Sequence, residues 1–176
     1  MHVEQISSDG GAALARAVSR GWAWIVALLF GVYALLPWLS PLLRHLGFER
    51  AGRMLMLAYA SFCHQLPERS FSWYGYQVCY CHRCTALYTS LAAFSALYAI
   101  GRWRLALPTV AMLAMVLPMA VDAGWHALDD VFAAALRSPD ASVGSMNFWL
   151  RMITGVLCAA GVVLWAYPRL QSRIEN

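Results

Sequence analysis

The stretch QVCYCHRCTALYTSLAAFSALYAI, Gln77 to Ile100, joins two kinds of sequence that seldom adjoin. From Thr85 onward it has no charged residue and reads as an apolar helix, too long for an ordinary strand. Crossing a hydrocarbon layer of roughly 30 Å takes about 20 such residues, so this short run is expected to extend upstream through the cysteines. Sulfur chemistry therefore sits at the mouth of a membrane helix.

Working outward, three more apolar runs are long enough to span: Trp22 to Leu43, Leu105 to Trp125 and Phe148 to Tyr167. The composition agrees, with 61% hydrophobic residues, 12% charged residues and a mean hydropathy of +0.55. A fifth segment, Arg53 to Leu66, has an apolar stretch of only about 11 residues and reads as half-inserted or interfacial. The expected fold is an all-α membrane protein: a bundle of about four transmembrane helices plus a short re-entrant or interfacial helix. Pro37 and Pro41 are expected to kink or end the first helix near Leu36. No linker, repeat or low-complexity tract divides the chain, so 1–176 reads as a single polytopic domain. Within it lie a polar segment (1–21), a Cys/His-bearing loop and half-helix (44–84) and a short tail (168–176). Asp9, Arg16 and Arg20 precede the first run, and no small-residue cleavage site follows it, so this is read as a retained helix rather than a signal peptide.

Orientation follows from arginine, which supplies all 13 basic residues. Arg102 and Arg104 lie in a tight turn, and Arg169 and Arg173 in the tail, close to span ends where basic residues mark the cytoplasmic side. One helix separates that turn from the cysteines. The expectation is a multi-pass protein of the cell (inner) membrane with its Cys/His cluster extracytoplasmic, although Arg44, Arg50, Arg53, Arg69 and Arg83 count the other way. The lipid bilayer is the expected partner. Eight tryptophans on a short chain also admit other subunits of a membrane complex, in a non-catalytic accessory role, or a homo-oligomer. Basic residues interleaved with aromatics, the mark of nucleic-acid binding, are missing.

Cys63, His64, Cys79, Cys81, His82 and Cys84 place six soft or borderline ligands within 22 residues. A tetrahedral zinc site needs four such groups, and the C-x-x-C turn Cys81-His82-Arg83-Cys84 delivers two thiolates from one place. The same atoms suit Cu(I), or a haem iron through one histidine. Two other readings use the same residues. In one, Cys81 and Cys84 at a helix N-terminus, with Arg83 between them, form a low-pKa thiol pair that passes electrons to a quinone, with Cys63 as exchange partner. In the other, the four loop cysteines form structural disulfides in any of three pairings. Glu68, Arg69 and Ser70 lie close enough in sequence to be catalytic, although no P-loop, dinucleotide fingerprint, H-E-x-x-H or G-x-S-x-G motif is present.

Charges inside the spans are costly, so Asp122 and Arg151 are expected to pair with each other or serve the site. Met112, Met115, Met119, Asp122 and His126 recur at helical spacing. Such a stripe usually fills a bundle face, and a copper path is the alternative. His126 with Asp129 and Asp130 reads as a solvated loop rather than a second metal site, and Cys158 as a packed small hydrophobe.

The segments CHQLPERSFSW (63–73), CHRCTALYTS (81–90), PMAVDAGW (118–125) and NFWLRMITG (147–155) together resemble a family of small prokaryotic polytopic membrane proteins of unknown function. That family carries CHQ-x-x-ERSF, C-x-R-C-T-G, P-x-A-x-D-G and N-x-x-x-R motifs, and the resemblance covers about residues 54 to 161. It implies membrane location and singles out Cys63, His64, Gln65, Glu68, Arg69, Ser70, Cys81, Arg83, Cys84, Asp122, Asn147 and Arg151, without implying an activity. Cys79 and His82 are additional to the pattern. Ala86 and Ala123 stand where the family has glycine, which bears on close helix contacts.

Overall fold

Inside hydrocarbon a backbone amide finds no water, so an apolar run must satisfy its hydrogen bonds within itself, as a helix. A computed structural model describes residues 2–132 and 142–175 of the chain. It contains α1 (His2–His45), α2 (Glu49–Tyr59), a 3-10 turn (Pro67–Arg69), β1 (Ser70–Trp73), β2 (Tyr76–Cys81), α3 (His82–Gly101), α4 (Thr109–Phe132) and α5 (Met146–Glu175). Gly21–His45, His82–Gly101 and Met146–Glu175 are each long and apolar enough to cross a membrane, and Thr109–Trp125 is a shorter apolar stretch within α4. The expected helical membrane fold is present, with a small two-stranded sheet in addition.

Helix α3 packs between α1 and α5, and α4 lies against the other side of α5. Around the C-terminal end of α3, Trp22, Ala23, Tyr98, Ala99, Val163 and Tyr167 form a buried core. Its polar atoms are matched: Trp22 Nε1 donates to Gln171 Oε1 at 2.6 Å, and Tyr98 Oη donates to the Tyr167 carbonyl at 3.2 Å. The Arg102, Arg104 and Arg169 side chains gather at this end, remote from the cysteines.

Pro37 does not end α1, which runs unbroken through Pro37 and Pro41 to His45. A proline at 37 removes the amide that would bond the carbonyl of Tyr33, four residues earlier. That carbonyl instead accepts from the Tyr59 hydroxyl at 3.2 Å and the Tyr80 hydroxyl at 3.5 Å. Side chains from α2 and β2 thus complete the bonding of α1. Tyr59→Phe is expected to destabilise the protein by about 1 kcal/mol, the usual net worth of one such bond, in reversible unfolding in mixed micelles. A change indistinguishable from zero would mean that Tyr80 alone serves the carbonyl.

Helix α2 also differs from the expected Arg53–Leu66 segment, starting earlier and ending earlier. Gly47, at φ +87, turns the chain so that α2 folds back along α1. Glu49 in its first turn pairs with Arg44 and Arg53, each at 3.0 Å. Ser40 Oγ donates to the Gly52 carbonyl at 2.9 Å. A Cβ at Gly52 would lie 2.4 Å from Arg44 Cγ, so only glycine permits this approach without displacing that side chain. The apolar side chains of Met54 and Leu57 remain exposed, as an interfacial helix requires.

The chain then forms an antiparallel hairpin with Trp73 opposite Tyr76. Its two turn residues, Tyr74 (φ +52) and Gly75 (φ +78), have the double positive φ of a type I′ turn. The hairpin rests on α1 through Trp38, which stacks on Phe71 at 5.7 Å, and through His45, which stacks on Tyr74 at 4.1 Å. It delivers the cysteines of β2 to the start of α3. The two ends of the sequence are helical further than expected: α1 begins at His2 within the polar segment, and α5 passes Pro168 into the tail.

Candidate functional site

Cys81 is the last residue of β2 and caps the N-terminus of α3, which puts Cys84 in the first helical turn. Cys63 comes from the extended segment after α2. The Sγ atoms of Cys63, Cys81 and Cys84 all lie within 4.8 Å of one another. The Cys81 backbone amide donates to Cys63 Sγ at 3.2 Å, which ties the two segments together. Gln65, itself at φ +51, fixes the same join. Its Nε2 donates to the carbonyls of Met56 (2.8 Å) and Cys79 (3.1 Å), and its own carbonyl accepts from Gln77 Nε2 at 2.6 Å.

Three of the six expected ligands converge and three do not. Cys79, two residues before Cys81 on β2, is not among the three thiols that converge. It packs instead in the buried cluster with Tyr59, Cys63 and Tyr80. His82, next to Cys81, turns away and is 1% exposed, edge-on to Phe71 at 4.6 Å and Phe148 at 4.9 Å. His64 lines the cavity beside the thiols, outside their 4.8 Å group. All five cysteines are thiols. Zinc–sulfur bonds of about 2.3 Å would hold tetrahedral sulfurs about 3.8 Å apart, which the spacing of the three thiols accommodates.

The thiols around this join are not equivalent. Cys81 is held well below an ordinary thiol, first by hydrogen bonding from Cys63 and then from Cys84, with the charge of Arg83 adding and burial opposing. Cys63 is pushed up, first because its proton is shared toward Cys81 and also by burial. Cys79 is pushed up chiefly by burial.

Cysteine forms one wall of a cavity of about 170 Å³, and Arg69, Arg83 and Arg151 contribute to the others. Arg83 of α3 meets Asp122 of α4 in a partly buried ion pair, the two side chains 17% and 8% exposed. Asp122 was expected to pair with Arg151 or to serve the site; it pairs with Arg83, and Arg151, 3% exposed, also lies within electrostatic range of it, as well as of Arg69, Arg83 and Cys81. Glu68 stands 3.8 Å from Arg69 and is 54% exposed. Ser70 is occupied by a bond to the Leu66 carbonyl at 2.8 Å. Asn147 is buried in the first turn of α5.

The methionine stripe packs toward α5, where a Cβ at Gly161 would come within 2.9 Å of Met115 Cβ. Met112, Met115 and Met119 are half-buried there, as side chains filling a helix interface are. The side chains of His126, Asp129 and Asp130 lie outside the described residues. Cys158 is buried in α5.

The family described as "Predicted membrane protein (DUF2085)" matches residues 63–165, more than half of the chain and the whole of the cavity's thiol and arginine lining. The chain belongs to that family. An uncharacterized protein of Methanocaldococcus jannaschii is 28% identical over 159 residues, covering 82% of this chain and 89% of the relative. No solved structure matches.

Proposed function

We propose that this DUF2085 member is an inner-membrane protein that holds a metal ion, zinc in the first instance, on Cys63, Cys81 and Cys84 at its extracytoplasmic face. The observation that carries this reading is the convergence of three thiols from two backbone segments within 4.8 Å. Three protein ligands leave a fourth position facing the cavity, the pattern of zinc sites that bind an exchangeable ligand, and His64 stands on that wall. Cu(I) is the alternative ion for an all-thiolate set. A haem is far larger than the 170 Å³ cavity and is not supported by it. The placement outside rests on the arginines at the other end of the bundle.

A second reading has one specific support, the lowered Cys81 thiol at a helix N-terminus with two further thiols in reach. Here Cys81 and Cys84 form a disulfide, releasing two electrons and two protons that reduce a quinone to its quinol. Cys63 is the exchange partner.

Metal analysis of protein purified without chelators or affinity-tag metals, with thiols counted on the same sample, separates the two. Zinc centres are expected at about one ion per chain, with thiols that titrate only after denaturation and zinc lost in Cys81→Ser/Cys84→Ser. Metal-free protein with a reducible Cys81–Cys84 disulfide would overturn the zinc reading and support the redox one.

A further inference from the structure

The cavity beside the thiols is as rich in guanidinium as in sulfur. Arg69 comes from the 3-10 turn, Arg83 from the first turn of α3 and Arg151 from α5, so three separate elements each aim one cation at the same 170 Å³. Burying a guanidinium is expensive unless something there uses it. Carboxylates use part of it, since Asp122 takes the Nη2 end of Arg83 and Glu68 stands 3.8 Å from Arg69, yet the buried Nε of Arg83 has no hydrogen-bond partner among the described residues. Balancing thiolates would require only point charge. Guanidinium adds a planar fork of directed N–H groups, whose natural complement is an oxyanion. The N-terminus of α3 opens on the same space through Arg83 and Cys84, and a helix N-terminus favours negative charge.

We propose that this cavity binds an oxyanion of the phosphate or sulfate type, held by Arg69, Arg83 and Arg151 against the thiol centre. The inference rests on the reading of the thiols as the centre that the bound anion would meet, while the binding itself can be measured without it. Two sources offer the same chemistry. A free anion fits the cavity. A lipid head group is the other source, because Asp122, the partner of Arg83, lines an apolar groove of about 750 Å³ between α4 and α5 with Leu117, Val121, Trp125 and Leu150, on which a lipid chain could lie.

The test uses full-length protein, delipidated in a neutral detergent, with thermal unfolding as the readout and zinc and thiols counted on every sample. Inorganic phosphate and sulfate form one arm, against chloride at equal ionic strength. Nanodiscs of phosphatidylcholine with and without phosphatidic acid form the other. We expect a saturable rise in Tm in at least one arm, with the half-saturating concentration raised at least tenfold by Arg69→Gln and less by Arg69→Lys. Arg69 is the variant of choice because it sits in a surface turn, and Arg151→Gln is the second. A response to phosphate or sulfate alone identifies a free anion, and one to phosphatidic acid alone identifies a head group. No response in either arm, or a response that Arg69→Gln and Arg151→Gln leave unchanged, overturns the proposal. Zinc bound without anion binding would mean that the arginines only neutralise thiolate. Anion binding without zinc would sink the metal reading and leave this one standing.

Discussion

Asp122→Leu is expected to destabilise the protein by about 3 to 5 kcal/mol, the range for removing one partner of a buried ion pair. The reason lies in what remains. Asp122 and Arg83 are 8% and 17% exposed, on neighbouring helices. Without the carboxylate, Arg83 stays a cation, because its guanidinium does not release its proton as a buried lysine would. It must then remain buried without its partner or swing out, and Arg83 lies between Cys81 and Cys84, so the thiols would move with it. Removing both charges should recover most of the loss: Arg83→Met/Asp122→Leu is expected within about 1 to 2 kcal/mol of the parent, since well-packed apolar pairs often replace buried ion pairs at little cost. Reversible unfolding of the four proteins closes a double-mutant cycle. Additive losses would show that the pair contributes nothing as a pair, and the account of the α3–α4 join would fall.

Gly155→Val should be nearly as damaging, for a steric reason. A Cβ at Gly155 would lie 2.9 Å from the Arg83 carbonyl, 3.0 Å from Ala86 Cβ and 3.1 Å from the Leu87 amide. Two of these neighbours are backbone, which cannot rotate aside, so α3 and α5 must separate where α3 carries Cys84. Alanine is expected to cost about 1 to 3 kcal/mol, the usual range for overpacking, and valine more. Gly124→Ala is the control: it has nothing within 4 Å of its Cβ position, and helix propensity favours alanine. It should be neutral or slightly stabilising. Equal effects at 155 and 124 would show that helix contact does not govern the cost. On the proposed metal reading, any zinc held by the thiols should be lost from Gly155→Val even in the fraction that remains folded.

Sequence and structure agree where the signal is local. The four apolar runs need only composition and length to be read as helices, though not for their bounds: α4 starts at Thr109 rather than Leu105, and α3 starts at His82, leaving Cys79 and Cys81 on β2 instead of in the helix. The hairpin was hidden because its turn puts Tyr74, not asparagine or aspartate, at positive φ, and because its aromatics also suit a membrane boundary. Recognising β2 would have placed Cys79 and Cys81 on a strand that ends where α3 begins, without telling which of the cysteines meet Cys63. Arg83 and Asp122 stand 39 residues apart, and no pattern in the chain distinguishes Arg83 from Arg151 as the partner of that carboxylate. The cavity was invisible for the same reason: its arginines belong to three elements whose meeting is a property of the packing.

The carbonyl of Tyr33, served by hydroxyls from Tyr59 and Tyr80, also constrains biogenesis. When α1 first leaves the translocon, the segments that carry both hydroxyls have not yet folded against it, and a bare acceptor in hydrocarbon is penalised by several kcal/mol. The nascent first helix is therefore an unfinished span until the hairpin arrives. Its settling into lipid waits on the same segment that brings Cys81 to Cys63, so membrane insertion and assembly of the thiol centre become a single event.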